Sequence, residues 1–128
     1  MTGLRRILCA EDDPDIRLVI ELALARVGGY EVRMCADGAE TLAAAQAFHP
    51  DIILLDVMMP GLDGPATLAA LRAAGIRAPV AFMTAKAMPD DVRTLAALGI
   101  AGVITKPFDP MTLADEVYRI WERQNGSR

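Results

Sequence analysis

The side chains able to do chemistry together stand at the ends of short apolar runs. Ile52, Ile53, Leu54 and Leu55 lead without a break to Asp56. A first apolar run, Arg6 to Ala10, ends in the acids Glu11, Asp12 and Asp13. A third ends in Thr84, and a fourth in Thr105, Lys106 and Pro107. Carboxylates brought to one place repel, strongly when partly buried, so something must compensate them. Lys106 supplies one positive charge. A hard divalent cation would supply the rest, and Mg²⁺ suits an open site of two carboxylates and a carbonyl. A cation beside a carboxylate can also neutralise an incoming phosphoryl group. Asp56 would then be a covalent nucleophile of the aspartyl-phosphate kind, with Thr84 and Lys106 holding phosphoryl oxygens.

Taken singly, each residue has a plainer explanation. Acids after a strand commonly cap helices, and Asp13 before Pro14 reads as a cap in its own right. Thr84 alone is an ordinary end-of-strand threonine, and a lone lysine is usually solvated. The joint placement of all of them at strand ends is what points to a site.

Strand and helix alternate along the whole chain. Strands are expected at Arg6 to Ala10, Tyr30 to Cys35, Ile52 to Asp56, Pro79 to Met83 and Gly102 to Thr105. Between them, Pro14 to Val27 carries apolar residues at Ile16, Val19, Ile20, Ala23, Leu24 and Val27, a helical period closed by Gly28 and Gly29. Asp37 with Glu40 forms a capping box for a helix that runs to about Phe48, where His49 and Pro50 break it. Asp63 caps a helix through Ala74. A further helix is expected from about Asp90 to Leu98. Asp109 and Pro110 pair a cap with a proline at the first helical position of the last one, which runs to about Gln124. Asn125 to Arg128 reads as a frayed tail. Such alternation implies a doubly wound α/β fold with a parallel sheet covered by helices on both faces, and its ligand site at the carboxyl ends of the strands.

Composition narrows the class. The chain has 128 residues, 53% of them hydrophobic, enough for one domain with one core, spanning residues 1–128 with a core of about 5–123. The net charge of −4 argues against sequence-independent nucleic-acid binding by this domain. No apolar run approaches the roughly 20 residues that span a bilayer, and the start shows no signal-peptide pattern, so a cytoplasmic protein with no membrane contact is expected. Cys9 and Cys35 lie in apolar strands and read as reduced core thiols. With one histidine they make no zinc site.

Four stretches carry a resemblance: Ile7 to Arg17, Asp51 to Gly64, Met83 to Lys86 and Gly102 to Phe108. In that order and spacing the chain resembles the receiver domain of two-component response regulators, chemotaxis-regulator-like, from about Arg5 to Arg123. The resemblance implies a flavodoxin-like five-stranded parallel sheet of order 2-1-3-4-5 with five helices. It implies a signalling switch, not an enzyme, that assists its own phosphorylation and slow dephosphorylation. Asp56 would be the phosphoacceptor and Mg²⁺ the cofactor. The metal would be held by Asp12, by Asp56, by the backbone carbonyl of Met58 and, through water, by Glu11. Thr84 and Lys106 match the switch hydroxyl and the family's lysine, and Pro107 the proline after a cis peptide bond. Arg17, six residues after Glu11, fixes the acid pair as Glu11 and Asp12. Implied partners are a sensor histidine kinase or histidine phosphotransfer protein, and a downstream protein or an output domain. A dimer through the helix 4, strand 5, helix 5 face is also implied. The chain would be a stand-alone regulator or a receiver fragment of a longer transcriptional regulator or hybrid kinase.

The departures matter. Val103 stands where the family often has Tyr or Phe, so output is expected from the loop after Thr84 and the helix beyond it. Met58 orients water poorly and Lys86 is expected in a nearby ion pair, which together suggest slow loss of the phosphoryl group. Met111, Tyr118 and Trp121 read as one shoulder of the last helix, packed at its edge or open for docking. Two rivals remain. A phosphatase of the haloacid dehalogenase type also forms aspartyl-phosphate but wants a second acid where Met58 stands. A flavodoxin-like or nucleotide-binding module wants a glycine-rich loop where Glu11 to Asp13 would repel phosphate.

Overall fold

The computed structural model describes residues 3–86 and 88–125. Five strands, β1 (Arg6–Ala10), β2 (Glu31–Cys35), β3 (Ile52–Asp56), β4 (Val80–Thr84) and β5 (Gly102–Thr105), form one sheet of order 2-1-3-4-5. Every pairing is parallel. Five helices connect and follow them: α1 (Pro14–Glu21), α2 (Gly38–Phe48), α3 (Gly64–Ala73), α4 (Pro89–Ala96) and α5 (Leu113–Asn125).

The uninterrupted apolar run of β3 has its reason in this arrangement. Alternate strand residues serve two separate cores. Ile7, Cys9, Ile52, Leu54, Ala81, Met83 and Ile104 meet Ile20 and Leu24 after β1 and Leu113, Val117 and Ile120 of α5. Leu8, Ala10, Cys35, Ile53, Leu55, Val80 and Phe82 face the other way, onto Ala44 and Ala45 of α2, Leu68 and Leu71 of α3 and Leu95 of α4. Cys9 and Cys35 therefore lie on opposite faces, both free and buried.

Carboxylates start three helices at the strand ends. Asp13 accepts the Asp15 and Ile16 amides at 2.8 and 3.2 Å. Asp37 accepts the Glu40 amide at 2.8 Å, and the Glu40 carboxylate accepts the Ala36 amide at 2.9 Å. Asp63 accepts the Ala66 amide at 2.8 Å. His49 closes α2 in the left-handed conformation, φ 54°, with Pro50 behind it.

Several boundaries differ from the sequence reading, α4 among them, which ends at Ala96 and not at Leu98. The first helix keeps α-helical bonding only over Pro14–Glu21; Leu22–Val27 widens into a π-helical turn. There the Gly28 amide reaches Ala23 O at 3.1 Å, five residues back. Gly28 packs so close to α5 that a Cβ would lie 2.7 Å from Ala114 Cβ. The last helix begins at Leu113, not beside Pro110. The Asp109 carboxylate takes the Met111 amide at 2.9 Å, and the Asp109 carbonyl takes the Thr112 amide. Asp109 thus makes a cap-like bond two residues ahead, but the turn it closes precedes the helix. Met111 consequently lies before α5, not on its shoulder. β4 is displaced by one residue and includes Thr84. Of the expected frayed tail, residues 126–128 lie outside the described residues. Among those described, no helix is long and apolar enough to cross a membrane.

Candidate functional site

β1 and β3 are neighbours, with Ala10 paired to Leu55, so the residues just after β1 lie beside Asp56. The Glu11 amide still bonds Cys35 O at 3.0 Å, which fixes the point where the chain leaves the sheet. Glu11, Asp12 and Asp56 each offer a carboxylate oxygen within 4.8 Å of the others. Glu11 and Asp56 are buried, whereas Asp12 is exposed. Lys106 reaches in from the end of β5. Its Nζ lies 2.6 Å from Glu11 Oε1 and 3.1 Å from Asp56 Oδ2. The Lys106 backbone amide bonds Thr84 O at 2.8 Å, tying that lysine to β4. The Lys106–Pro107 peptide is cis.

The charges are balanced only in part. Burial pushes the Glu11 carboxyl above its ordinary value, with Asp56 adding to the rise and Lys106 and the Asp13 amide opposing it. Burial alone would lower the Lys106 ammonium, but hydrogen bonds to Glu11 and Asp56 outweigh it and raise the group. Lys106 is thus a permanent cation at neutral pH. Glu11 uses both its oxygens, Oε1 on Lys106 and Oε2 on the Asp13 amide at 3.2 Å. The Asp12 carboxylate makes no hydrogen bond among the described residues. One ammonium against three clustered carboxylates leaves negative charge at an open edge. The donors are all hard oxygens, a set that fits Mg²⁺ with retained waters and not a thiolate- or imidazole-seeking metal.

Thr84 is buried at the end of β4, next along from Met83, which pairs with Asp56. Its Oγ1 accepts the Lys86 amide at 3.0 Å. The ion pair expected of Lys86 is not formed among the described residues: its side chain is exposed and its backbone does the bonding. Met58 follows in the loop after β3, its side chain exposed. Val103 is half-buried against the core under α2, α3 and α4. Tyr118 is exposed, while the Trp121 ring, 5.9 Å from it, packs against the α5 core.

One positioning residue escaped the sequence reading. Gly64 opens α3 directly over the end of β3, its amide on Val57 O at 2.9 Å. A Cβ there would lie 2.8 Å from Asp56 O and 2.9 Å from Val57 Cα. A glycine between a capping Asp63 and Pro65 was the available signal.

A parallel sheet of order 2-1-3-4-5, with an acid cluster and a lysine at its carboxyl edge, defines the class of CheY-like, flavodoxin-fold receivers. The family model of the response regulator receiver domain matches residues 7–118, and the chain belongs to that family. Receiver domains of this family bind Mg²⁺ at an acidic pocket and serve signalling. Transcriptional regulatory protein PrrA of Mycobacterium tuberculosis is 38% identical over 115 residues, 90% of this chain and 48% of that protein. Alkaline phosphatase synthesis transcriptional regulatory protein PhoP of Bacillus subtilis is 35% identical over 119 residues, 93% of this chain and 49% of that protein. The chain spans about half the length of the curated relatives it matches. Among solved structures, chemotaxis protein CheY4 of Vibrio cholerae superposes with a TM-score of 0.83 at 32% identity, covering 92% of this chain and 99% of that one.

Proposed function

We propose that this receiver, its core at about residues 5–123, is a phosphorylation-dependent switch with Asp56 as phosphoacceptor. The observation that carries the reading is Lys106 Nζ, held at once on Glu11 and Asp56 beside the free carboxylate of Asp12. A carboxylate oxygen of Asp56 attacks the phosphorus of a phosphohistidine. The new P–O bond forms as the P–N bond breaks, and the imidazole leaves with the electron pair. The donor is a sensor histidine kinase or a histidine phosphotransfer protein. Lys106 holds a phosphoryl oxygen where charge develops. Asp12 and Asp56, the Met58 carbonyl and, through water, Glu11 would hold Mg²⁺, whose bound charge neutralises the phosphoryl oxygens.

A cavity of about 400 Å³ opens beside Lys106, lined by Ile16, Val19, Ala85, Pro107 and Phe108. With Leu18 and Leu22 exposed on the same helix and its extension, it offers the donor protein an apolar seat. The response begins at Thr84. Its hydroxyl donates to Lys86 O at 3.4 Å, and a phosphoryl oxygen on Asp56 competes for that proton. Without an aromatic ring at Val103, the signal passes through the loop after β4 and through α4. The downstream element is a protein target or an output domain. The names of PrrA and PhoP favour a transcriptional regulator, cytoplasmic, with α4, β5 and α5 as a dimer face and no nucleic-acid contact by the receiver itself. Slow self-dephosphorylation is expected from Met58.

Incubation with Mg²⁺ and a small acyl phosphate, followed by intact-mass measurement, tests the assignment. Wild type should gain one phosphoryl group and Asp56→Ala none. An adduct that persists in the variant overturns the role of Asp56.

A further inference from the structure

Arg17 stands in the first turns of α1, where the helix dipole disfavours a cation. Its guanidinium nevertheless turns back across the helix start. Nη1 donates to Glu11 O at 2.9 Å and to Asp12 O at 3.0 Å. Successive carbonyls of an extended strand point opposite ways, so one nitrogen can reach both only where the chain has left the strand. The pivot is Glu11, whose amide is still bonded to β2. Beyond it the two peptide units are turned toward Arg17. The carboxylates of the same two residues are thereby directed to the site, Glu11 inward onto Lys106 and Asp12 outward at the edge.

We infer that Arg17 is a positioning residue that pre-sets the acid pair for the divalent cation. The inference rests on the reading of Glu11, Asp12 and Asp56 as the Mg²⁺ site. Arg17 touches no reacting atom, and its side chain bonds backbone only. Its Nη1 fixes two carbonyls that would otherwise be hydrated in several orientations, so the ordering cost is met before the cation arrives. Groups that orient metal ligands in this way typically govern affinity by about tenfold or more.

The sign of the effect separates this role from simple charge. Arg17 is a cation near a cation site. If it acted only through space, its removal would strengthen Mg²⁺ binding. If it positions the acid pair, its removal weakens binding. Calorimetric titration of MgCl₂ into wild type, Arg17→Met and Arg17→Lys decides between them, with urea unfolding of each protein alongside. Arg17→Met should bind Mg²⁺ about tenfold more weakly, with Arg17→Lys between it and wild type. The amides of Glu11, Asp12 and Asp13 should shift in the ¹⁵N spectrum of the metal-free variants. Saturating Mg²⁺ should restore the phosphorylation of Asp56. Equal or tighter binding by Arg17→Met overturns the inference, even if that variant is less stable. If Arg17→Met does not fold, Arg17→Lys takes its place under the same criterion. Absence of saturable binding by wild type would instead overturn the reading of the metal site itself.

Discussion

β1 and β3 are buried at nearly every position, whereas α4 and β5, on the other flank of the sheet, bury one residue each, Leu95 and Ile104. The proposed phosphoacceptor Asp56 ends a strand buried at every position, and its companions Glu11 and Asp12 follow one buried at all but its first residue. Thr84 and Lys106, which would read the phosphoryl group, stand at the border of the thinly packed flank. That difference suits a switch. The nucleophile needs a fixed position, and the responding segment needs alternatives within a few kcal/mol of each other. Local opening of α4 exposes little apolar surface, while any opening of β3 breaks both cores.

The largest effect should come from cutting into the enclosed half. Leu54→Ala removes a side chain with no exposure and should cost about 4 kcal/mol in urea unfolding. Leu95→Ala, the one buried anchor of α4, should cost about 2 kcal/mol. Equal losses would break the contrast between the halves. Hydrogen exchange sharpens it: α4 amides should exchange well before those of β3.

Next comes the charge that joins the halves. Lys106→Met strands Glu11 and Asp56 as buried carboxylates without their cation, a loss of about 3 kcal/mol at pH 7. The pH dependence follows from burial of Glu11. A carboxyl raised in the folded state favours folding most below its unfolded value of 4.5, and that contribution is lost as pH rises through the folded value. Removing Lys106 deepens the loss on the alkaline side. The gap between variant and wild type should therefore be widest near neutrality and narrow as pH falls toward 4.5. A gap independent of pH would mean that Lys106 matters by packing alone. Gly64→Ala should be smaller, about 2 kcal/mol, since a Cβ pushes on Asp56 O and Val57 Cα and the start of α3 must move. It should also slow phosphorylation of Asp56 more than its stability loss explains.

The strands, their order and the acid cluster were legible because each is written locally. A short unbroken apolar run closed by turn residues suits a two-faced strand, and in a parallel sheet the acids that follow neighbouring strands meet at one edge. Asp13, Asp37 and Asp63 announced their helices by side chains that bond two or three residues ahead. What was not legible depends on tertiary approach or on backbone geometry. The π-helical turn after Glu21 is set by the approach of Gly28 to Ala114, which lie 86 positions apart in the chain. The late start of α5 follows from a turn closed by Asp109 itself, where proline suggested an earlier helix. The roles of Arg17 and Gly64 rest on backbone atoms that no residue pattern displays.

The smallest effect is an expected absence, and it probes the enclosed half most sharply. Cys9 and Cys35 lie one strand apart, yet they face opposite cores and are free. Burial pushes the Cys35 thiol up to about 11, with Glu40 adding to the rise, and pushes Cys9 well above its ordinary value. At pH 8 about one thousandth of Cys35 would be thiolate even if reagent could reach it. Neither thiol should be alkylated in the native state, and mild oxidation should leave both unpaired. Alkylation should begin only at the urea concentration where the whole chain unfolds, with both thiols modified together. Modification of either thiol at lower urea would show that β1 and β2 open on their own, and the site would then stand on a strand no firmer than the flank that responds to it.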